Sequence, residues 1–171
     1  SFTGILNRDP KMEPGVLRHG DDDLQAMAEA IHFTRQHDDG LGLDTIADAD
    51  LVILGLSRTG KTPTSIFLSC RKLKVANIPI VLDRPIPREV IDLPMKKVGF
   101  RMQLERLHQL RSERTRRFRT GELDEYASEA HILEELEYCD RLYRRIPRLP
   151  TIDVTNRSIE ETSEWITRHV L

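Results

Sequence analysis

The sequence predicts an α/β fold: a P-loop kinase-like layered domain with a mostly parallel sheet flanked by helices. Three observations predict it. Short apolar runs alternate with longer stretches whose apolar residues recur at helical spacing, the order that builds strand and crossover-helix layers. The run at 51–55 reads LVILG with no polar side chain, which suits a strand covered on both faces. Directly after it, residues 55–62 read GLSRTGKT and match the phosphate-loop pattern GxxxxGK[ST] between a predicted strand and a predicted helix.

Taken in order, residues 1–20 are rich in glycine, proline and polar side chains without sustained periodicity. They read as a linker or the remnant of a missing N-terminal domain, and 21–171 as a P-loop nucleotide-binding catalytic domain. The chain starts at Ser1 without methionine, which predicts a piece of a longer protein. Asp21, Asp22 and Asp23 are cap candidates for a helix carrying Leu24, Met27, Ala28 and Ile31 to about His37, where Asp38, Asp39 and Gly40 stop it. The strand at 51–55 leads through the loop into a helix over about 60–73. A second strand is expected at 78–82, with Pro79 near its start marking an edge or irregular position, and a weaker one at 97–102. Two charged amphipathic helices follow at 103–118 and 124–145. A last strand at 151–154 precedes a helix with Ser158 as N-cap, Glu161 at the capping-box position, and Trp165, Ile166 and Val170 on its apolar side.

Composition bounds the function. The chain has 171 residues, 39% of them hydrophobic and 32% charged, enough for one ordinary domain core. A net charge of −2 gives no concentrated positive face, which argues against broad nucleic-acid or membrane binding. No apolar run approaches the roughly 20 residues needed to span a bilayer. Cys70 and Cys139 lack a CxxC partner or metal-ligand spacing and read as buried small hydrophobes in a reducing, cytoplasmic setting. His32, His108 and His131 are scattered without ligand spacing.

The chemistry gathers at the loop Gly55, Leu56, Ser57, Arg58, Thr59, Gly60, Lys61 and Thr62. Its glycines let successive N–H groups turn toward phosphate oxygens, and the following helix adds the positive end of its dipole. Lys61 reaches the terminal phosphates, Thr62 holds Mg²⁺ through its hydroxyl, and Pro63 suits a first helical turn. Such loops work with an acidic residue. Asp83 at the end of an apolar run reads either as that acid or as an ordinary turn residue. Asp38 and Asp39, adjacent carboxylates at a helix end that the dipole disfavours, read either as functional acids or as a solvated turn. Among Arg111, Arg114, Arg116, Arg117 and Arg119, one or two could close as a lid over a transferred phosphate, while most are expected on the helix surface.

These segments resemble a known family, the bifunctional regulatory proteins of pyruvate, phosphate dikinase and phosphoenolpyruvate synthase. The resemblance runs through 37–40 (HDDG), 49–65 with its core SRTGKTP, 74–81 with its core VANIP, 152–155 and 157–162. It implies an enzyme that uses ADP to phosphorylate a threonine beside the target's catalytic histidine, switching the target off. It also implies reversal by phosphorolysis, with inorganic phosphate as acceptor and pyrophosphate as product. By the same resemblance Asp38 and Asp39 supply the acid that orients or deprotonates the attacking group, with Lys61 at the phosphates. Relatives carry small residues such as glycine where Asp83 stands, so a metal role does not carry over to it. The implied partners are the target dikinase or synthase, ADP, phosphate and pyrophosphate, with a homo-oligomer allowed. Two rivals remain. A small-molecule kinase of the shikimate or nucleotide type would share the loop, the lid arginines and an adenine-side segment near 155–158. A non-catalytic nucleotide switch would want an NKxD or LSGGQ signature, and the chain has neither.

Overall fold

The computed structural model describes residues 14–118 and 124–171; Arg119 and the residues before Pro14 lie outside the described part. Helix α1 spans Pro14–Gln36, followed by a 3-10 segment Leu43–Asp48, strand β1 Leu51–Gly55, helix α2 Lys61–Ser69 and strand β2 Val75–Pro79. The short α3 Arg88–Asp92, β3 Lys96–Arg101, α4 Leu104–Phe118, the single turn α5 Asp124–Ala127, α6 Glu129–Arg144, β4 Thr151–Asp153 and α7 Ile159–His169 complete the order.

The four strands form one parallel sheet in the order β2-β1-β3-β4. That order follows from burial: every residue of β1 is buried, as the unbroken apolar run requires, so the strand lies between two neighbours. The chain leaves β1 toward β2, then returns past β1 to β3 and continues outward to β4. Right-handed crossovers therefore put α2 and the α4 to α6 group on opposite faces. Between β1 and β3 the direction of travel reverses, and in such sheets ligands bind beyond the strand ends at that reversal. Among the described residues, no helix is long and apolar enough to cross a membrane.

Several boundaries depart from expectation for local reasons. Helix α1 begins at Pro14, so Asp21 to Asp23 are exposed positions within it rather than caps. Strand β2 starts at Val75 and ends on Pro79, instead of covering 78–82: Asn77 interrupts the apolar run without interrupting the ladder, and proline closes the strand. Helix α2 stops at Ser69, which leaves Cys70 exposed rather than buried; Cys139 is buried as expected. The helix expected over 124–145 is broken at Ser128, whose backbone is extended and whose hydroxyl accepts the His131 N–H at 3.2 Å to start α6. Ser158 caps α7 as predicted, accepting from Glu161 N at 3.1 Å.

Tyr143 of α6 ties the helix to the sheet where the site begins. Its buried hydroxyl lies 3.0 Å from the Leu54 carbonyl and 2.8 Å from that of Phe100, at the ends of β1 and β3. Burial holds the phenol protonated, its pKa well above the usual value, so it remains a donor. Tyr143→Phe leaves both buried carbonyls without this donor and is expected to destabilise the fold by about 1–3 kcal/mol in urea unfolding; an unchanged midpoint would show the hydroxyl to be dispensable.

Candidate functional site

The loop after β1 is shaped by what surrounds it. A Cβ on Gly55 would come within 2.8 Å of Thr59 Oγ1 and 3.1 Å of Phe100 Cβ, so only glycine lets the chain turn here. Two left-handed residues curl the loop, Arg58 at φ 72° and Gly60 at φ 87°. For an arginine that conformation costs on the order of 1 kcal/mol, so its neighbours must hold it. From below, Thr59 Oγ1 donates to the Leu56 carbonyl at 2.8 Å, and Lys61 Nζ donates to the same oxygen at 2.9 Å.

Lys61 is therefore folded back into the loop and nearly enclosed, 7% exposed. Burial lowers its pKa from 10.5 to about 8; the Asp39 and Asp38 carboxylates oppose the shift and the Arg111 guanidinium adds to it.

The acid pair arrives from the end of α1. His37 is buried, its ring stacked on Phe33 at 3.7 Å between centroids, with Nδ1 2.7 Å from the Phe33 carbonyl and Nε2 2.7 Å from the Thr45 hydroxyl. Both ring nitrogens are thereby occupied by partners from the protein itself. His37 is thus a structural anchor. Beyond it the chain runs along the outer edge of β2, where Asn77 N donates to the His37 carbonyl and Gly40 N donates to the Asn77 carbonyl, each at 3.0 Å. The Asn77 side chain takes both acids: Oδ1 accepts Asp39 N at 2.8 Å, and Nδ2 donates to the Asp38 carboxylate. Asp38 Oδ1 also accepts from Thr62 Oγ1 at 2.8 Å, joining the acid segment to the first turn of α2.

Asp38, Asp39, Ser57, Arg58, Lys61 and Arg114 line a cavity of about 390 Å³, with Gly60 and Thr62 also on its wall. Gly55, Leu56 and Thr59 form the loop's underside; Leu56 and Thr59 are buried and do not reach this wall. Asp83 sits in an exposed turn at φ 64° and lies outside the cavity. His108 and His131 are 3.6 Å from Glu129 and Glu125 on the helical surface. Cys139 is no nucleophile at neutral pH, burial having pushed its thiol up to about 11.

One arginine departs from the surface expectation. Arg111 is completely buried and ion-paired with Glu135 of α6, while Nε and Nη2 donate to the Ser57 carbonyl at 3.3 and 3.2 Å. Its helix explains why: Arg111 follows Leu104 and Leu107 at helical spacing and so points to the core. Asn77 and Glu135 are the site residues that a reading of local motifs misses, and Arg111, one of the lid candidates of the sequence, lies instead behind the loop and off the cavity wall.

Residues 1–167 match the sequence model of the kinase/pyrophosphorylase family. The chain belongs to that family. It is 40% identical over 155 residues to a protein of Bdellovibrio bacteriovorus provisionally named a pyruvate, phosphate dikinase regulatory protein, covering 90% of this chain and 55% of that one. Similarly named proteins of Syntrophomonas wolfei and Geobacter sulfurreducens are 37% identical over 167 residues and 41% over 158. Those matches cover 97% and 92% of this chain, and 61% and 59% of the relatives. The chain thus spans rather more than half the length of the curated relatives it matches.

An anion entering this cavity draws the Lys61 pKa back up from about 8. The affinity for sulfate, an anion that does not itself titrate in this range, is therefore expected to be steady below pH 8 and to fall by up to about tenfold per pH unit above it, as the free protein loses the proton that the complex keeps. Calorimetry at pH 7, 8 and 9 checks this, and a flat profile would place the lysine outside the binding step.

Proposed function

We propose that this chain carries the catalytic centre of an ADP-dependent protein kinase and phosphate-dependent phosphorylase acting on pyruvate, phosphate dikinase or phosphoenolpyruvate synthase. The observation that carries the reading is the union of Lys61, Thr62, Asp38 and Asp39 on one wall, with Asp38 hydrogen-bonded to Thr62 across 24 positions of sequence. The relatives' names supply the dikinase as target; the synthase enters only through the sequence resemblance.

The chemistry divides among these residues. In the kinase direction a threonine hydroxyl oxygen attacks the β-phosphorus of ADP. Its proton passes to Asp39, the β-phosphorus to bridging-oxygen bond breaks, and AMP leaves. In the reverse direction an oxygen of inorganic phosphate, giving up its proton to the Asp39 carboxylate, attacks the phosphothreonine phosphorus. Pyrophosphate forms as the P–O bond to threonine breaks, and the threonine oxygen takes that proton from the carboxyl. Lys61 and the loop N–H groups offset charge on the transferred group.

The Thr62 and Asp38 oxygens, 2.8 Å apart, suit Mg²⁺. Among the described residues no cluster of three or more His, Cys, Asp or Glu side chains could hold a metal. Mg²⁺ needs no such cluster, since it takes one or two protein oxygens and fills its shell with phosphates and water. When bound, it would neutralise phosphate charge. On the other side of the loop, Arg58, Gly60, Arg106, Thr155 and Arg157 border a smaller cavity of about 150 Å³. The buried Thr64 hydroxyl on its wall has no partner, and the position suits the nucleoside of ADP.

The test is full-length protein incubated with ADP and the phosphorylated target, with phosphothreonine and pyrophosphate followed separately. Lys61→Ala is expected to abolish transfer in both directions with circular dichroism unchanged. Asp39→Asn is expected to slow both by about a hundredfold or more, with nucleotide affinity little altered. Wild-type rates in both variants would refute the reading, and turnover of a metabolite with ATP would move it to a small-molecule kinase.

A further inference from the structure

A phosphate loop binds anions only if its peptide planes are turned so that N–H groups face the cavity and carbonyls face away. In a loop eight residues long, with an arginine at φ 72°, something must hold them that way. A trans peptide plane points its C=O and its N–H in opposite directions. Whatever grips the Ser57 carbonyl therefore aims the Arg58 N–H.

Among the described residues that carbonyl is gripped by Arg111 alone, through two N–H groups of one planar guanidinium at 3.3 and 3.2 Å. The guanidinium is fixed in turn on every side. Nη1 is ion-paired with Glu135 and donates to the Tyr126 carbonyl at 3.2 Å, and the plane lies over the Tyr126 ring at 4.5 Å. The Tyr126 hydroxyl comes back to the loop, 3.0 Å from Ser57 Oγ. Arg111 is wholly buried and is not on the cavity wall, so it does not meet the ligand.

We propose that the buried Arg111–Glu135 pair is a positioning device for the phosphate loop: it holds the Ser57 carbonyl inward, away from the cavity, and so presents the Arg58 N–H to a phosphate oxygen. The inference rests on the phosphate-loop reading above and adds residues that never touch substrate. A buried ion pair is a poor source of stability in itself, since desolvation offsets its attraction. Its geometry is what an apolar pair of the same volume cannot supply. Lysine cannot replace the arginine here, because a single ammonium lacks the planar fork that spans Glu135 and the Ser57 carbonyl together.

Two variants separate positioning from support of the fold, both in the intact protein: Arg111→Lys, which keeps the charge, and the double variant Arg111→Met/Glu135→Leu, which removes the pair without leaving a lone buried charge. The probe is inorganic pyrophosphate, followed by calorimetry, by thermal melting and by the backbone amide resonance of Arg58. The expected result is a loss of about tenfold or more in pyrophosphate affinity in each variant that melts cooperatively. The Arg58 amide, which moves on pyrophosphate addition to wild type, is expected to stay still in them. Wild-type affinity and a wild-type Arg58 shift in Arg111→Lys would overturn the proposal whether or not the double variant folds. Lys61→Ala is the reference: if it loses pyrophosphate while the Arg111 variants keep it, the positioning role alone is wrong. If Lys61→Ala binds as wild type does, the phosphate-loop reading fails and this inference with it.

Discussion

Everything at the site hangs from the burial of β1. Leu51, Val52, Ile53 and Leu54 are wholly inaccessible, and each such side chain contributes about 1.5–3 kcal/mol relative to exposure. Paired with β2 and β3, the strand has no freedom to slide, because a one-residue slip would exchange its two faces. Its last residue therefore delivers the loop to a fixed point, at the place in the sheet where crossovers part in opposite directions. Tyr143 adds a lock from α6 by bonding the ends of both β1 and β3.

Around that point the molecule tolerates charges that a core ordinarily excludes. Lys61 is enclosed beside Asp38 and Asp39, and Arg111 is enclosed with Glu135. Partners accompany both cations, as burial demands. The two differ in what their partners leave open. Arg111 is spent on backbone and carboxylate contacts on all sides, whereas Lys61 holds one carbonyl while bordering a cavity. One cation is part of the frame and the other is available for exchange.

Those parts of the site that are contiguous in sequence were legible from it. The apolar run, the loop and the helix that follows form one uninterrupted signal, and the charge and spacing of Ser158 with Glu161 marked α7 equally well. What escaped depends on tertiary placement. Asn77 lowers the apolarity of its segment and so hides β2, yet its amide is what holds the acid pair. Arg111 stands in a stretch crowded with arginines whose neighbours face water; only its interval from Leu104 and Leu107 betrays an inward direction. Cys70 depended on whether α2 ran one turn further, a boundary that propensity does not fix.

The run of the acid segment along β2 also decides how the sheet ends. A bare outer strand is a template on which foreign chains can grow. Here the outward Val75 N–H is taken by the Thr34 hydroxyl at 3.1 Å, that of Asn77 by the His37 carbonyl, and Pro79 has none to offer. The residues that bring Asp38 and Asp39 to the loop therefore double as a guard against aggregation. Substitutions in residues 34–40 that uncover this edge would therefore tell first in solubility, whatever they do at the cavity.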